Sequence, residues 1–121
     1  MAKKIKVTKM GKLRIYITPA DKLPPKGKGL LKKMFPKSAF IHIVQEAKKD
    51  GILNASVYHT SHGYSNKNKI ESMNYESGNP KLTLCVELVD ARKHLEAFCL
   101  KHEDLLRDKV VIYKEVEQWS L

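Results

Sequence analysis

The stretch Lys81–Asp90, "KLTLCVELVD", decides the fold. Leu82, Leu84, Val86 and Leu88 alternate with Thr83, Cys85, Glu87 and Val89, the two-residue period of a β-strand. Asp90 then suits the start of a helix whose Ala91, Leu95, Phe98 and Leu105 share one face. Downstream, "KVVIYKEV" at 109–116 reads as the closing strand. Upstream, "SNKNKIESMNYESGNP" at 65–80 has almost no apolar pattern and ends in Gly-Asn-Pro, which predicts a long, mobile loop.

Further upstream the same alternation of elements repeats. "NASVYHTSHGY" at 54–64 is rich in β-branched, aromatic and hydroxyl residues, as strands are. Before it, Ser38 is placed to cap a helix with Phe40, Ile43, Val44 and Ala47 on one stripe, ended by Gly51. In "KLRIYIT" at 12–18, Leu13, Ile15 and Ile17 alternate with Arg14, Tyr16 and Thr18, giving a first strand. The order β-α-β-loop-β-α-β is the split βαβ, ferredoxin-like plan: an α+β sandwich with two helices on one face of an antiparallel sheet. By alternation the bare face carries Tyr16, Tyr58, Cys85, Val89, Val111 and Tyr113. That set is too apolar for open water and predicts assembly through the sheet.

The 121 residues fit a single domain, 1–121, and a mean hydropathy of −0.42 fits a globular chain. The longest apolar runs are far short of the roughly 20 residues a membrane helix needs, and "MAKKIKVTKMGK" has no signal-peptide pattern. A cytoplasmic location is therefore expected, with Cys85 and Cys99 as reduced thiols. The charge is uneven. Residues 1–38 hold twelve Lys or Arg against one acid, Asp21, while the remaining residues hold eleven against twelve acids. The basic segments are 1–11 and the insertion 19–37, "PADKLPPKGKGLLKKMFPK". Such a patch suits nucleic acid or an anionic surface, and equally a solvated, solubilising face. Within the insertion, Leu30, Leu31, Met34 and Phe35 form one side of a short basic amphipathic turn. That turn could lie on an anionic membrane or fold down on the domain.

"YHTSHGYSNKNK" at 58–69 gathers two histidines, hydroxyls and tyrosines. On a regular strand, His59 and His62 are three apart and point to opposite faces, so one metal could be shared only through a bulge or a neighbouring subunit. Ser61 beside His62 lacks the geometry and the carboxylate of a catalytic pair. No catalytic residues and no metal site are assigned, and no cofactor is identified. The stretch reads as the strand end from which the loop departs. Gly63 allows a sharp bend there, and Tyr64 is either a ligand-facing aromatic or a packing residue. His102 falls on the apolar stripe of the second helix and reads as a partly buried core histidine. His42 and His94 read as exposed.

Several of these pieces together resemble the bacterial and archaeal domain-of-unknown-function 190 family, a branch of the PII-like signalling superfamily. They are "LRIYI" at 13–17, "EAKKDGILNASV" at 46–57, "HGY" at 62–64, "VELVD" at 86–90 and "VVIYKEVE" at 110–117. The resemblance implies a homotrimer with inward-facing sheets, a T-loop at 65–80, and ligand clefts between subunits. It also implies a regulatory, non-enzymatic role. A small-molecule effector, nucleotide or other anion, would act on a membrane transporter or other protein partner through 65–80. Ligand-facing residues would be His59, His62, Gly63 and Tyr64 at the loop root, with Arg107 and Lys109 in "LLRDKV", the connection from last helix to last strand. This chain departs from the family in its long link at 22–37, in Ser65 where a second glycine is usual, and in having no glycine in "LLRDKV". Two other readings compete with regulation: a nucleic-acid or anionic-surface binder using the N-terminal lysines, and a divalent-metal protein like the CutA trimers.

Overall fold

The computed structural model describes residues 3–23 and 38–121. Strand β1 runs Lys6–Ile17, followed by helix α1 (Ala39–Lys49) and strand β2 (Asn54–His59). A two-residue pair, β3 (His62–Gly63) and β4 (Glu71–Ser72), comes next. Strand β5 (Leu84–Asp90), helix α2 (Arg92–Lys101), the single turn α3 (Glu103–Leu106) and strand β6 (Val110–Ser120) complete the chain. The main sheet has the order β2-β5-β1-β6, every pair antiparallel. This is the ferredoxin-like architecture expected from the alternation of elements. The possible turn at Leu30–Phe35, and most of the basic insertion with it, lies outside the described residues.

The core lies between the sheet and its helices. Leu13, Ile15, Ile17, Leu84, Val86 and Leu88 from the sheet meet Ala39, Ile43 and Ala47 of α1 and Leu95, Phe98 and Leu106 from α2 and α3. Phe40 and Val44 pack partly against this cluster. On β5 the alternation that identified the strand is masked by burial on both faces, because β5 is an inner strand. The α2 stripe breaks at His102, and Leu106 takes the buried place while Leu105 is only half-buried. His102 packs its ring 4.5 Å from that of Phe98. His42 is half-buried rather than exposed, edge-on to His102 at 6.2 Å.

The helix starts follow the expected residues with different bonds. Ser38 occupies the N-cap of α1, but among the described residues its hydroxyl makes no capping bond. Asp90 stands one residue before the α2 cap and works across elements. Its Oδ1 accepts from the Ala91 amide at 2.6 Å and from His94 Nδ1 at 2.7 Å, and its Oδ2 accepts from the Leu53 amide at 2.9 Å. One carboxylate thereby ties the end of β5, the first turn of α2 and the entry to β2. Burial pushes this carboxyl up, yet the bonds from His94, Ala91 and Leu53 outweigh it and hold it below the usual range.

The bare face differs from the expectation at two residues. Tyr113 pairs with Leu13 and Val111 with Ile15, so both share the helix-side face and pack against the core. Directly opposed residues on neighbouring strands share a face, and the register of β6 was not fixed by its own alternation. The open face instead carries the rows Tyr58–Cys85–Tyr16–Val110, Ser56–Glu87–Arg14–Ile112 and Asn54–Val89–Lys12–Lys114. At its centre Glu87, only 7% exposed, receives Arg14 Nε at 3.2 Å and lies 3.6 Å from Lys12 Nζ. The face is therefore apolar at one end and ionic in the middle.

Strand β1 also begins at Lys6, six residues ahead of the predicted alternation. Beyond Gly11, where β5 ends against Asp90, Lys6–Met10 pair only with Val116–Ser120. The expected basic segment 1–11 is thus in large part a two-stranded ribbon that overhangs the sheet.

Candidate functional site

A polar hollow of about 220 Å³ opens where three segments meet. The end of β1 contributes Tyr16, Ile17, Thr18 and Asp21, the loop after β3 contributes Ser65–Asn68, and the α3–β6 connection contributes Asp108–Val110. Each segment is fixed locally. The Asp21 carboxylate accepts from the Thr18 amide at 2.9 Å, and the Asp21 amide donates back to the Thr18 carbonyl at 3.1 Å. The loop turns at 65–68, where the Asn68 amide donates to the Ser65 carbonyl at 3.1 Å. Asn66 takes a left-handed backbone, φ 58°, a conformation that asparagine tolerates better than most residues. Its side-chain amide then donates to the Asp108 carbonyl at 3.0 Å, joining the loop root to the α3–β6 connection.

Lys109 is the partly sheltered cation of this hollow, 17% exposed, with Nζ 3.3 Å from Asp108 and 3.8 Å from Asp21. Lys67 lines the other side. Two lysines and two aspartates leave the lining formally neutral, and hydroxyl and amide groups fill the rest. Such a lining favours a ligand that carries both an anionic group and hydrogen-bond donors over a bare anion.

The predicted site residues divide in space. Lys109 lines the hollow, whereas Arg107 is 64% exposed and turned to Glu103 at 2.6 Å and Asp104 at 3.3 Å, a surface ion cluster on its own turn. Strand β2 ends at His59, and strand pairing lapses at Thr60–Ser61, where the Thr60 hydroxyl donates to the Thr83 carbonyl. His62 and Gly63 therefore belong to a separate small hairpin, in which His62 Nδ1 lies 2.6 Å from the Ser72 hydroxyl. Gly63, at φ 151°, makes the bend there, a backbone that side chains rarely adopt. Tyr64, beside the hollow in sequence, is exposed. Among the described residues no group of three or more His, Cys, Asp or Glu could hold a metal ion. Both cysteines are free, and burial pushes each thiol up.

Thr18, Asp21 and Asn66 went unnoticed in the sequence. The "N-x-N" polarity of 66–68 read simply as loop, and only the left-handed turn and its partner 42 residues away give Asn66 a role. The loop makes hydrogen bonds of its own. Glu71–Ser72 return to pair with His62–Gly63, the Met73 amide donates to the Ser61 carbonyl at 2.8 Å, and Asn79 Nδ2 donates to the Ser72 carbonyl at 2.8 Å. Tyr64, Ile70 and Tyr75 stand exposed along it.

The DUF190 family model, described as an "Uncharacterized ACR", matches residues 10–118, so the chain belongs to that family. No curated protein matches the chain. Among solved structures it is similar to CPII from Thiomonas intermedia K12, a nitrogen regulatory PII-like protein bound to ADP, AMP and bicarbonate. That likeness has a TM-score of 0.65 at 8% identity over 93% of this chain and 91% of that one. The CPII complex with ADP and bicarbonate gives a TM-score of 0.60 at 9% identity, again over 93% and 91%. A PII-like signaling protein from Thermus thermophilus gives 0.51 at 11% identity, over 95% and 92%. At these identities the likeness establishes the fold, which is PII-like. Among the described residues no helix is long and apolar enough to cross a membrane.

Proposed function

We propose that this DUF190-family chain is a PII-like regulatory protein. Its trimer binds a small molecule in clefts between subunits and acts on a partner protein through the loop at 65–80. The observation that carries the reading is the Asn66–Asp108 bond at the polar hollow. A ligand seated against Thr18, Asp21 and Lys109 would touch the same segments that fix the loop root. Binding there changes the loop, and the exposed Tyr64, Ile70 and Tyr75 give a partner apolar surface to read. The neutral, mixed lining suits a nucleotide, whose phosphate would meet Lys109 and Lys67 and whose hydroxyl and amino groups would meet Asp21 and Asn68. CPII, with the same fold, is bound to ADP, AMP and bicarbonate, which supports that class of ligand.

The test is a thermal-shift series with ADP, AMP and bicarbonate on the wild-type chain, Lys109→Ala and Arg107→Ala. The expected result is a shift with at least one nucleotide that Lys109→Ala removes and Arg107→Ala retains. A shift lost with Arg107→Ala alone would move the site to the exposed cluster at Glu103–Arg107. No shift with any of the three would reject the proposal.

A further inference from the structure

The two helices do not cover the four strands evenly. Helix α1 packs chiefly on β2 and β5, and α2 on β5 and β1, so the edge strand β6 lies beside α2 rather than beneath it. The result is a groove of about 440 Å³ between α2 and β6, a size that suits a small molecule. Its floor is Leu13 and Tyr113, set opposite each other on the helix-side face by the β1–β6 register. Its wall is Leu95, Cys99 and Leu100 of α2, and Leu100 at the rim is 72% exposed.

The groove has two unlike ends. Arg92 and Glu96 line one, and Cys99 and Leu100 the other, with Arg92 and Leu100 roughly 12 Å apart along the helix. Past Arg92 and Tyr113 the charged end continues to Lys9 and Glu115, which pair at 3.2 Å. The Arg92 guanidinium lies 5.0 Å from the centre of the Tyr113 ring, and Glu96 meets it only at Nε, 2.8 Å away. Among the described residues its two terminal nitrogens make no hydrogen bond. They form an open fork whose geometry matches a carboxylate. Glu96 is 61% exposed, so water and salt screen its repulsion of a second carboxylate. The fork therefore selects an anionic head, and the leucines and the Tyr113 ring select an aliphatic tail.

We propose that the α2–β6 groove binds a medium-chain aliphatic carboxylate, its tail along Leu13, Leu95 and Leu100 and its head on Arg92. The groove shares no lining residue with the polar hollow, so this site stands or falls apart from the regulatory reading.

Octanoate is the probe, beside octanol, which lacks the charge, and hexanoate, which lacks two methylenes. Calorimetric titration gives the affinity. The alkylation rate of Cys99 by iodoacetamide, read by peptide mass spectrometry, gives the place, with Cys85 on the open sheet face as the internal control. Octanoate is expected to slow alkylation of Cys99 and not of Cys85, and hexanoate to bind about tenfold more weakly. Arg92→Gln should weaken octanoate about tenfold and leave octanol unchanged. Leu100→Glu should abolish binding. Lys93→Gln, which removes an exposed charge of α2 outside the groove, should change nothing, with far-ultraviolet circular dichroism the same for all variants. Any of four results would overturn the proposal: no octanoate binding, octanol bound as tightly as octanoate, undiminished binding in Leu100→Glu, or equal slowing at both cysteines. Cys99 shielded without octanoate at high protein concentration and freed on dilution would assign the groove to a second copy, and would overturn it as well.

Discussion

Replacing Gly11 by alanine should destabilise the fold, although the residue lies in a strand where alanine is ordinarily the better choice. Gly11 is set between Asp90 on β5 and Glu115 on β6, and the ring of Tyr113 lies directly over it. An added Cβ would overlap Tyr113 Cε2 and stand 2.8 Å from the phenol oxygen and 2.9 Å from Cζ. No carbon–carbon contact survives at that distance, so the ring must swing outward, toward the groove it shares with Leu95, Cys99 and Leu100. Any such move also disturbs its contact with the Arg92 guanidinium, which lines the same groove and sits 5.0 Å from the ring centroid. Overpacking of this kind costs about 1–3 kcal/mol. Alanine recovers about 0.4–1 kcal/mol by restricting the unfolded chain. The net loss is therefore on the order of 1–2 kcal/mol, which for a domain of this size lowers Tm by roughly 4–8 °C. Thermal melts at one fixed protein concentration measure it. In a Tyr113→Ala background the obstruction is gone, and Gly11→Ala should become neutral or slightly stabilising. An equal effect of Gly11→Ala in the two backgrounds, or none in the wild-type chain, would refute the steric account.

Asn66→Gly keeps the left-handed turn but removes the bond to Asp108, so amide exchange at 65–68 should quicken by several-fold while the global melt moves little. Asp90→Asn replaces an acceptor of three bonds by a group that must present an N–H to one of them. It should cost about 1–3 kcal/mol in a denaturant titration. The Asp90 and Asp50 carboxyls, the latter held down chiefly by the Lys101 ammonium, lie below their usual range. Their stabilisation is complete above the unfolded value near 3.9 and is lost as pH falls through the lower folded value. An acid titration should therefore show unfolding below about pH 4 that is shallower in Asp90→Asn. Burial pushes the His102 imidazole down, so the unfolded chain binds its proton first. Stability should fall as pH drops through about 6.5 and level off below the folded value, and His102→Phe should flatten that slope.

The fold was legible because its signals are local. Leu82 to Leu88 and Leu13 to Ile17 carry strand periodicity, Ile43 and Ala47 carry a helix stripe, and no partner is needed to read either. Register is not local. Whether Tyr113 or Ile112 faces the helices depends on which residue of β6 stands opposite Leu13, and the alternation "VVIYKEV" satisfies both choices. The overhang of β1 was hidden for a similar reason. Lys6, Thr8 and Lys9 look like a solvated basic tail until Gln118 and Glu117 are placed beside them.

The candidate site was half legible, and the division follows from range. Arg107 and Lys109 were equivalent in the sequence as the two cations of one short connection. Arg107 is captured by Glu103 and Asp104, four and three residues behind it, a pairing that helical spacing alone makes available. Lys109 lies past the turn, where its amide donates to the Leu106 carbonyl, and the start of β6 carries it over Asp21 from the far end of β1. One cation therefore has its charge met locally and exposed to water, where such pairs contribute little. The other is sheltered and lines the hollow. Any cation followed within the next residue by a strand that pairs with β1 would be carried to the same place. The feature that selects Lys109 over Arg107 is thus its position relative to Val110, the first residue of β6 opposite Tyr16.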